Sequence, residues 1–182
     1  MLSIVIPATE KYNEQTNEFI YKKEQKILLE HSLVSLSKWE SKWHKPFLSS
    51  NKNTKSQEET IDYVRCMTLT QNVDPLLYYD LSTDNYNKIQ AYIEDPMTAT
   101  TFNDLQKGHS SSEIITSELI YYWMIAYNVP VEFEKWHLNR LLTLIKVCSI
   151  KNTPPKKMSK REIMNRNAAL NASRRQAHNS RG

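Results

Sequence analysis

His137 and Cys148 are the residue types of a thiol nucleophile and its base. Such a pair works only near contact, at about 3 Å. Both fall in one apolar-periodic helical segment, and eleven residues of helix set them roughly 16 Å apart. They are therefore not a catalytic pair. Glu58, Glu59 and Asp62 gather carboxylates of the kind used for acid–base chemistry or a hard cation. They stand at a helix start, however, where negative charge offsets the helix dipole. Asp80, Asp84, Glu94 and Asp95 lack the glycine and the roughly 12-residue spacing of a calcium loop. Cys66 and Cys148 show no Cys-x-x-Cys spacing, and no His-x-x-x-His occurs. They read as two buried thiols of a reducing compartment. The chain has 2 Gly in 182 residues, Gly108 and Gly182. Phosphate loops, dinucleotide fingerprints and nucleophile elbows need glycine where backbone must approach a ligand. The expectation is a non-enzymatic protein with no cofactor and no metal.

Binding chemistry is better represented. The 4 Trp and 10 Tyr resemble, in number, a stacking platform for single-stranded nucleic acid. Trp39, Trp43, Trp123 and Trp136, however, share helix faces with Leu and Ile, which predicts core or partner-groove positions. Tyr78-Tyr79 and Tyr121-Tyr122 are expected to straddle core edge and surface. Charge is divided along the chain. Residues 1–145 hold 14 Lys and Arg against 19 Asp and Glu, a net of −5. Residues 146–182 hold 10 against 1, a net of +9. An acidic body thus carries a basic arm: Lys156, Lys157, Lys160, Arg161, Arg166, Arg174, Arg175 and Arg181. The arm suits an acidic protein surface, or nucleic-acid phosphates, or simple solvation.

The elements that position these residues follow from periodicity and caps. Leu2–Pro7 reads as a short strand, with Glu18–Lys22 as its partner after a polar loop and Lys26–His31 as a third strand. Ser32 opens a helix that turns Leu33, Leu36, Trp39 and Trp43 to one side and stops by Pro46. Ser56-Gln57-Glu58-Glu59 is a capping box. Its helix carries Ile61, Val64, Met67 and Leu69 inward. Asp74 caps a segment with Pro75 at its first position. Ser82-Thr83 begin a helix with Ile89, Tyr92 and Ile93 on one side, ended by Asp95-Pro96. Met97–Phe102 is Thr-rich and extended, and Lys107–Ser112 is a polar loop around Gly108. From Ser111 or Ser112 as cap, Ile115, Leu119, Tyr122, Trp123 and Ala126 predict one inward face. A long helix over 134–151 carries a stripe of Leu138, Leu141, Leu142, Ile145 and Cys148 and reads as the central helix, paired with its predecessor in an αα-hairpin. The linker Asn152-Thr153-Pro154-Pro155 ends this domain, residues 1–152. A second capping box, Ser159-Lys160-Arg161-Glu162, opens the helical arm of residues 153–182. Met1–Pro7 lacks a basic region before its apolar run and does not read as a secretory signal. No stretch approaches the roughly 18 apolar residues of a membrane span.

Several blocks carry a resemblance. Leu36-Ser37-Lys38-Trp39-Glu40-Ser41-Lys42-Trp43 with His44-Lys45-Pro46-Phe47-Leu48 resembles a stretch of the tail assembly chaperones of tailed bacteriophages. So do Cys66–Pro75, Trp136–Ile145 and Pro154–Met164. The blocks span nearly the whole chain and are signatures of order and composition, not of catalysis. The resemblance implies a small, mostly helical, non-enzymatic protein of the host cytoplasm. Such chaperones coat the tape-measure protein, keep it soluble, help recruit tail tube subunits and leave before the virion is complete. Many are made in two lengths by a programmed ribosomal frameshift.

The expectation is a mainly α protein with a small N-terminal β-element and a basic C-terminal helical arm. Its partners, by resemblance, are the tape-measure protein and tail tube subunits, and it can self-associate. The partner-binding candidates are Trp39, Trp43 and Trp136 as groove residues, with Lys156, Lys157, Lys160, Arg161, Arg166, Arg174 and Arg175 as a tether. Two other readings stand beside this one. A virion structural protein of the tail or neck has the same profile but stays in the particle. A nucleic-acid binder would use the basic arm, with steep salt dependence.

Overall fold

A computed structural model describes residues 1–13, 17–48, 55–102, 114–153 and 159–178. The chain is mainly helical with a small N-terminal antiparallel β-element. It divides into two compact units, Met1–Ser149 and Ile150–Gly182.

The β-element is a four-strand ribbon whose pairing differs from expectation. β1 (Leu2–Ile6) pairs with β4 (Gln25–Leu29), Leu2 opposite Leu29. β2 (Thr9–Asn13), in the segment expected to be a polar loop, pairs with β3 (Glu18–Lys22), Thr9 opposite Lys22. Both ladders keep one register, so they are halves of a single hairpin interrupted at Pro7, which has no amide hydrogen to give a ladder. The inner half alternates strictly. Ile4, Ile6, Ile27 and Leu29 are buried, while Val5 and Leu28 face out. The outer half has no such core. Tyr12 and Phe19 pair across it with ring centroids 5.0 Å apart, both exposed. Lys22 ties it down through Asp80 at 2.7 Å.

Caps set the helices where side-chain oxygens precede apolar periodicity. α1 (Leu33–Trp43) starts at Ser32, whose hydroxyl accepts from the Ser35 amide. It ends at His44 in the left-handed region. α2 (Gln57–Met67) starts at the Ser56–Glu59 box. The Ser56 amide donates to Glu59 Oε2 at 2.8 Å, and the Glu59 amide donates to Ser56 Oγ at 3.2 Å. Ser56→Ala removes this cap and is expected to cost about 1 kcal/mol in urea unfolding; an unchanged midpoint would refute a stabilising cap. Leu69 lies past the helix end and is exposed, a correction to its inward placement. A 3-10 helix, Pro75–Asp80, follows the Asp74 cap, and α3 (Thr83–Glu94) follows the Ser82 cap. Residues 97–102 form no strand. α4 (Ser117–Ala126) is capped by Thr116; the expected caps Ser111 and Ser112, and Gly108, lie outside the described residues. A second 3-10 helix, Val131–Lys135, precedes α5 (Leu138–Asn152), which is therefore shorter at its start than the periodicity suggested. Left-handed positions fall on Asn17, His44, Asn72, Met97 and Asn128; asparagine tolerates this region better than most residues.

Two apolar clusters form the core of the first unit. One joins β1 and β4 to Trp39, α2, Leu77 and Tyr78 of the first 3-10 helix, and α3. The other joins Leu33 and Leu36 of α1 to Ile120 and Met124 of α4 and to Leu138, Leu141 and Ile145 of α5. Among the described residues only α1 contributes buried side chains to both, so α1 is the central helix, not α5. The second unit contains α6 (Lys160–His178), 19 residues long. Among the described residues no helix is long and apolar enough to cross a membrane.

Candidate functional site

α4 is apolar around most of its circumference, Ser-Glu-Leu-Ile-Tyr-Tyr-Trp-Met-Ile-Ala. A helix of that kind has no phase fixed by amphipathicity. Its phase comes from α1. Glu40, buried on α1, accepts from the Ser117 amide through Oε2 at 2.7 Å and from the Phe47 amide through Oε1 at 2.8 Å. A carboxylate thus sits at the N-terminus of α4, where the dipole favours it. Ser117, Ile120 and Met124 are consequently the buried residues of α4. The expected inward face holds only in part: Ile115 and Trp123 pack against the second cluster, but Tyr122 is 63% exposed and Ala126 is exposed.

This phase leaves an apolar groove between α4 and α5. Trp123 and Tyr127 line one wall, and Leu142, Ile145, Lys146 and Ser149 the other, around a volume of about 310 Å³. Trp123, Tyr127 and Leu142 are half-buried, so they retain surface to offer. Lys146 lies over the Phe102 ring, 4.1 Å from its centroid.

The predicted groove tryptophans lie elsewhere. Trp39 is 1% exposed, and its indole donates to the Glu59 carbonyl at 2.9 Å. It is a core residue and offers no face to a partner. Trp43 is half-buried, stacks on Trp39 at 6.2 Å between centroids and donates to Asp62 Oδ2 at 2.9 Å. Trp136 is half-buried between Phe133, stacked at 3.9 Å, and the Arg140 guanidinium, 4.1 Å from its ring. Trp39 and Trp43 are brought together; Trp136 belongs to a separate aromatic set. Of the basic candidates, Lys160, Arg161, Arg166, Arg174 and Arg175 are exposed on α6, and Lys156 and Lys157 lie outside the described residues.

The acidic cluster at the start of α2 is occupied structurally. Lys45 reaches Glu59 at 2.5 Å and, with the Ser56 amide, holds that carboxyl below the usual range. Asp62 accepts from Lys42 and Trp43. Cys66 and Cys148 are free and half-buried rather than buried. Burial, followed by Asp62, pushes the Cys66 thiol up to about 11, so it is a poor nucleophile at neutral pH. Among the described residues no group of three His, Cys, Asp or Glu side chains is arranged to hold a metal ion.

A buried polar seam joins β4, α2, α3 and α5, and no local signal announced it. The Leu138 amide donates to the His31 carbonyl at 2.7 Å, bringing two histidines from distant segments together. Their rings meet edge-on, 5.1 Å between centroids. His31 Nδ1 lies 2.5 Å from the Tyr63 hydroxyl. His137 Nε2 donates to the Tyr92 carbonyl at 2.9 Å, while its Nδ1 has no hydrogen-bond partner among the described residues. The Tyr92 hydroxyl donates to Glu30 Oε1 at 2.7 Å. Burial first, and His137 second, push His31 down to about 4.

The fold and the groove together define a mainly helical protein with an apolar groove on its surface. No family model matches the chain, and no curated protein or solved structure matches it.

Proposed function

We propose that this chain is a tail assembly chaperone of a tailed phage, a non-enzymatic factor of the host cytoplasm. It binds the tape-measure protein and helps recruit tail tube subunits before the tube polymerises. The observation that carries the reading is the apolar groove between α4 and α5, and the block resemblance points the same way. A long helical client presents apolar anchors at i, i+3, i+4 and i+7, and a groove lined by Trp123, Tyr127 and Leu142 takes such anchors. The exposed cations of α6 steer an acidic client or tube subunit toward the body.

The test is capture of the tagged full chain from infected cells, with mass spectrometry of the eluate and of purified virions. The expected result is a long tape-measure-like protein in the eluate and absence of this chain from particles. Trp123→Ala should reduce that capture about tenfold while leaving the circular dichroism unchanged. Stoichiometric chain in virions would make it a tail or neck component instead.

A further inference from the structure

The outward side of α4, distinct from the groove, is an apolar strip with an acidic border. Glu118, Tyr122 and Ile125 recur at i, i+4 and i+7 and so share one face. Ile125 is 77% exposed. The Glu118 carboxyl is held below its usual range by its own backbone amide first and by Thr116 next. Beside this strip, the Tyr121 hydroxyl donates to Glu134 at 2.8 Å, which sets the acidic second 3-10 helix along the flank of α4. Residues 114–137 hold three acidic side chains and one basic.

α6 has the complementary make-up. Ile163, Leu170 and Ala177 follow one line along the helix, seven residues apart, and Arg166 and Arg174 border it. Ile163 and Leu170 are 44% and 45% exposed. Residues 159–178 hold five basic side chains and one acidic.

We propose that α6 of one copy docks on the outward α4 face of a second copy. Opposite charge on the two surfaces selects this occupant: every chain carries an acidic body and a basic arm, so two copies attract head to tail. Reciprocal exchange closes a dimer with no unsatisfied strip. Ile163 and Leu170 meet Tyr122 and Ile125, and the arginines meet the carboxylates of the border. This contact does not depend on the identity of any client.

Sedimentation velocity of the full chain, from about 1 to 100 µM, tests it at low and high salt. Concentration-dependent dimers are expected, weakened about tenfold or more by Ile125→Asp or Leu170→Asp and weakened again by salt. Both positions are exposed, and circular dichroism verifies that each variant folds. Mixing the two variants restores association in part: one supplies an intact α6 and the other an intact α4 face, which rebuilds one of the two reciprocal contacts. A chain that stays monomeric throughout at low salt, including one that seats α6 on its own body, overturns the proposal. So does association that neither substitution changes.

Discussion

Glu40→Ala is expected to cost the fold about 4 kcal/mol, because two buried amides lose their acceptor and a charge-assisted bond disappears. Glu40 Oε1 receives the Phe47 amide and Oε2 the Ser117 amide, and the carboxylate is itself buried. Glu40→Gln keeps the shape but turns an NH₂ donor toward one of the two amides, so about 2 kcal/mol should still be lost. Urea unfolding measures both. Hydrogen exchange adds a local readout: the Ser117 amide should lose protection in both variants. Midpoints within about 0.5 kcal/mol of the parent for both would show that water replaces the carboxylate and that α4 is held by packing alone.

The same residue shows where the sequence stops being informative. The caps were legible because each needs only neighbours. Ser32, Ser56 with Glu59, Asp74 and Ser82 all stand where their spacing put them. The α1 stripe was legible too, since Leu33, Leu36 and Trp39 alternate with polar residues at helical spacing. α4 offered no such contrast. Its residues are apolar on almost every side, so any face satisfies the period, and long-range contacts decide which face turns inward: the Glu40 bond to the Ser117 amide and the packing of Ile120 and Met124 against α1 and α5.

Trp39 illustrates a second limit. Periodicity placed it on the apolar face of α1, but whether that face is covered depends on α2 and the hairpin, which close over it. Pairing in the hairpin was likewise unreadable. β2 is largely polar, Thr-Glu-Lys-Tyr-Asn, and is a strand because the register of β1 and β4 continues past Pro7. The groove side chain Trp123 was visible as a partner-groove or core residue, yet nothing local distinguished it from Trp39. The histidine seam had no local signature at all: His31 and His137 meet through a single backbone bridge between segments about a hundred residues apart.

That seam gives the protein a pH dependence of definite sign. His31 titrates near 4 when folded, against 6.5 for an unperturbed imidazole, because burial and the neighbouring His137 oppose its charge. Below about pH 6.5 the unfolded chain takes up a proton that the folded chain refuses until about pH 4. Stability is therefore complete above this window and falls as pH drops through it, by about 3 kcal/mol in all. Glu59 contributes in a lower window, since its folded pKa is depressed below 4.5 and its protonation weakens the fold only on further acidification. The groups facing His31 are the Tyr63 hydroxyl and the His137 ring, and neither is an anion that rewards a positive imidazole at neutral pH. His31→Gln supplies an acceptor for Tyr63 without a titrating ring. Its stability at pH 7 should be lower than the parent's, but its slope between pH 6.5 and 5 should be markedly flatter. Urea midpoints taken at several pH values compare the two slopes. Equal slopes would mean that the ring gains a proton in the fold as readily as in the unfolded chain, and the seam would then be wet rather than buried.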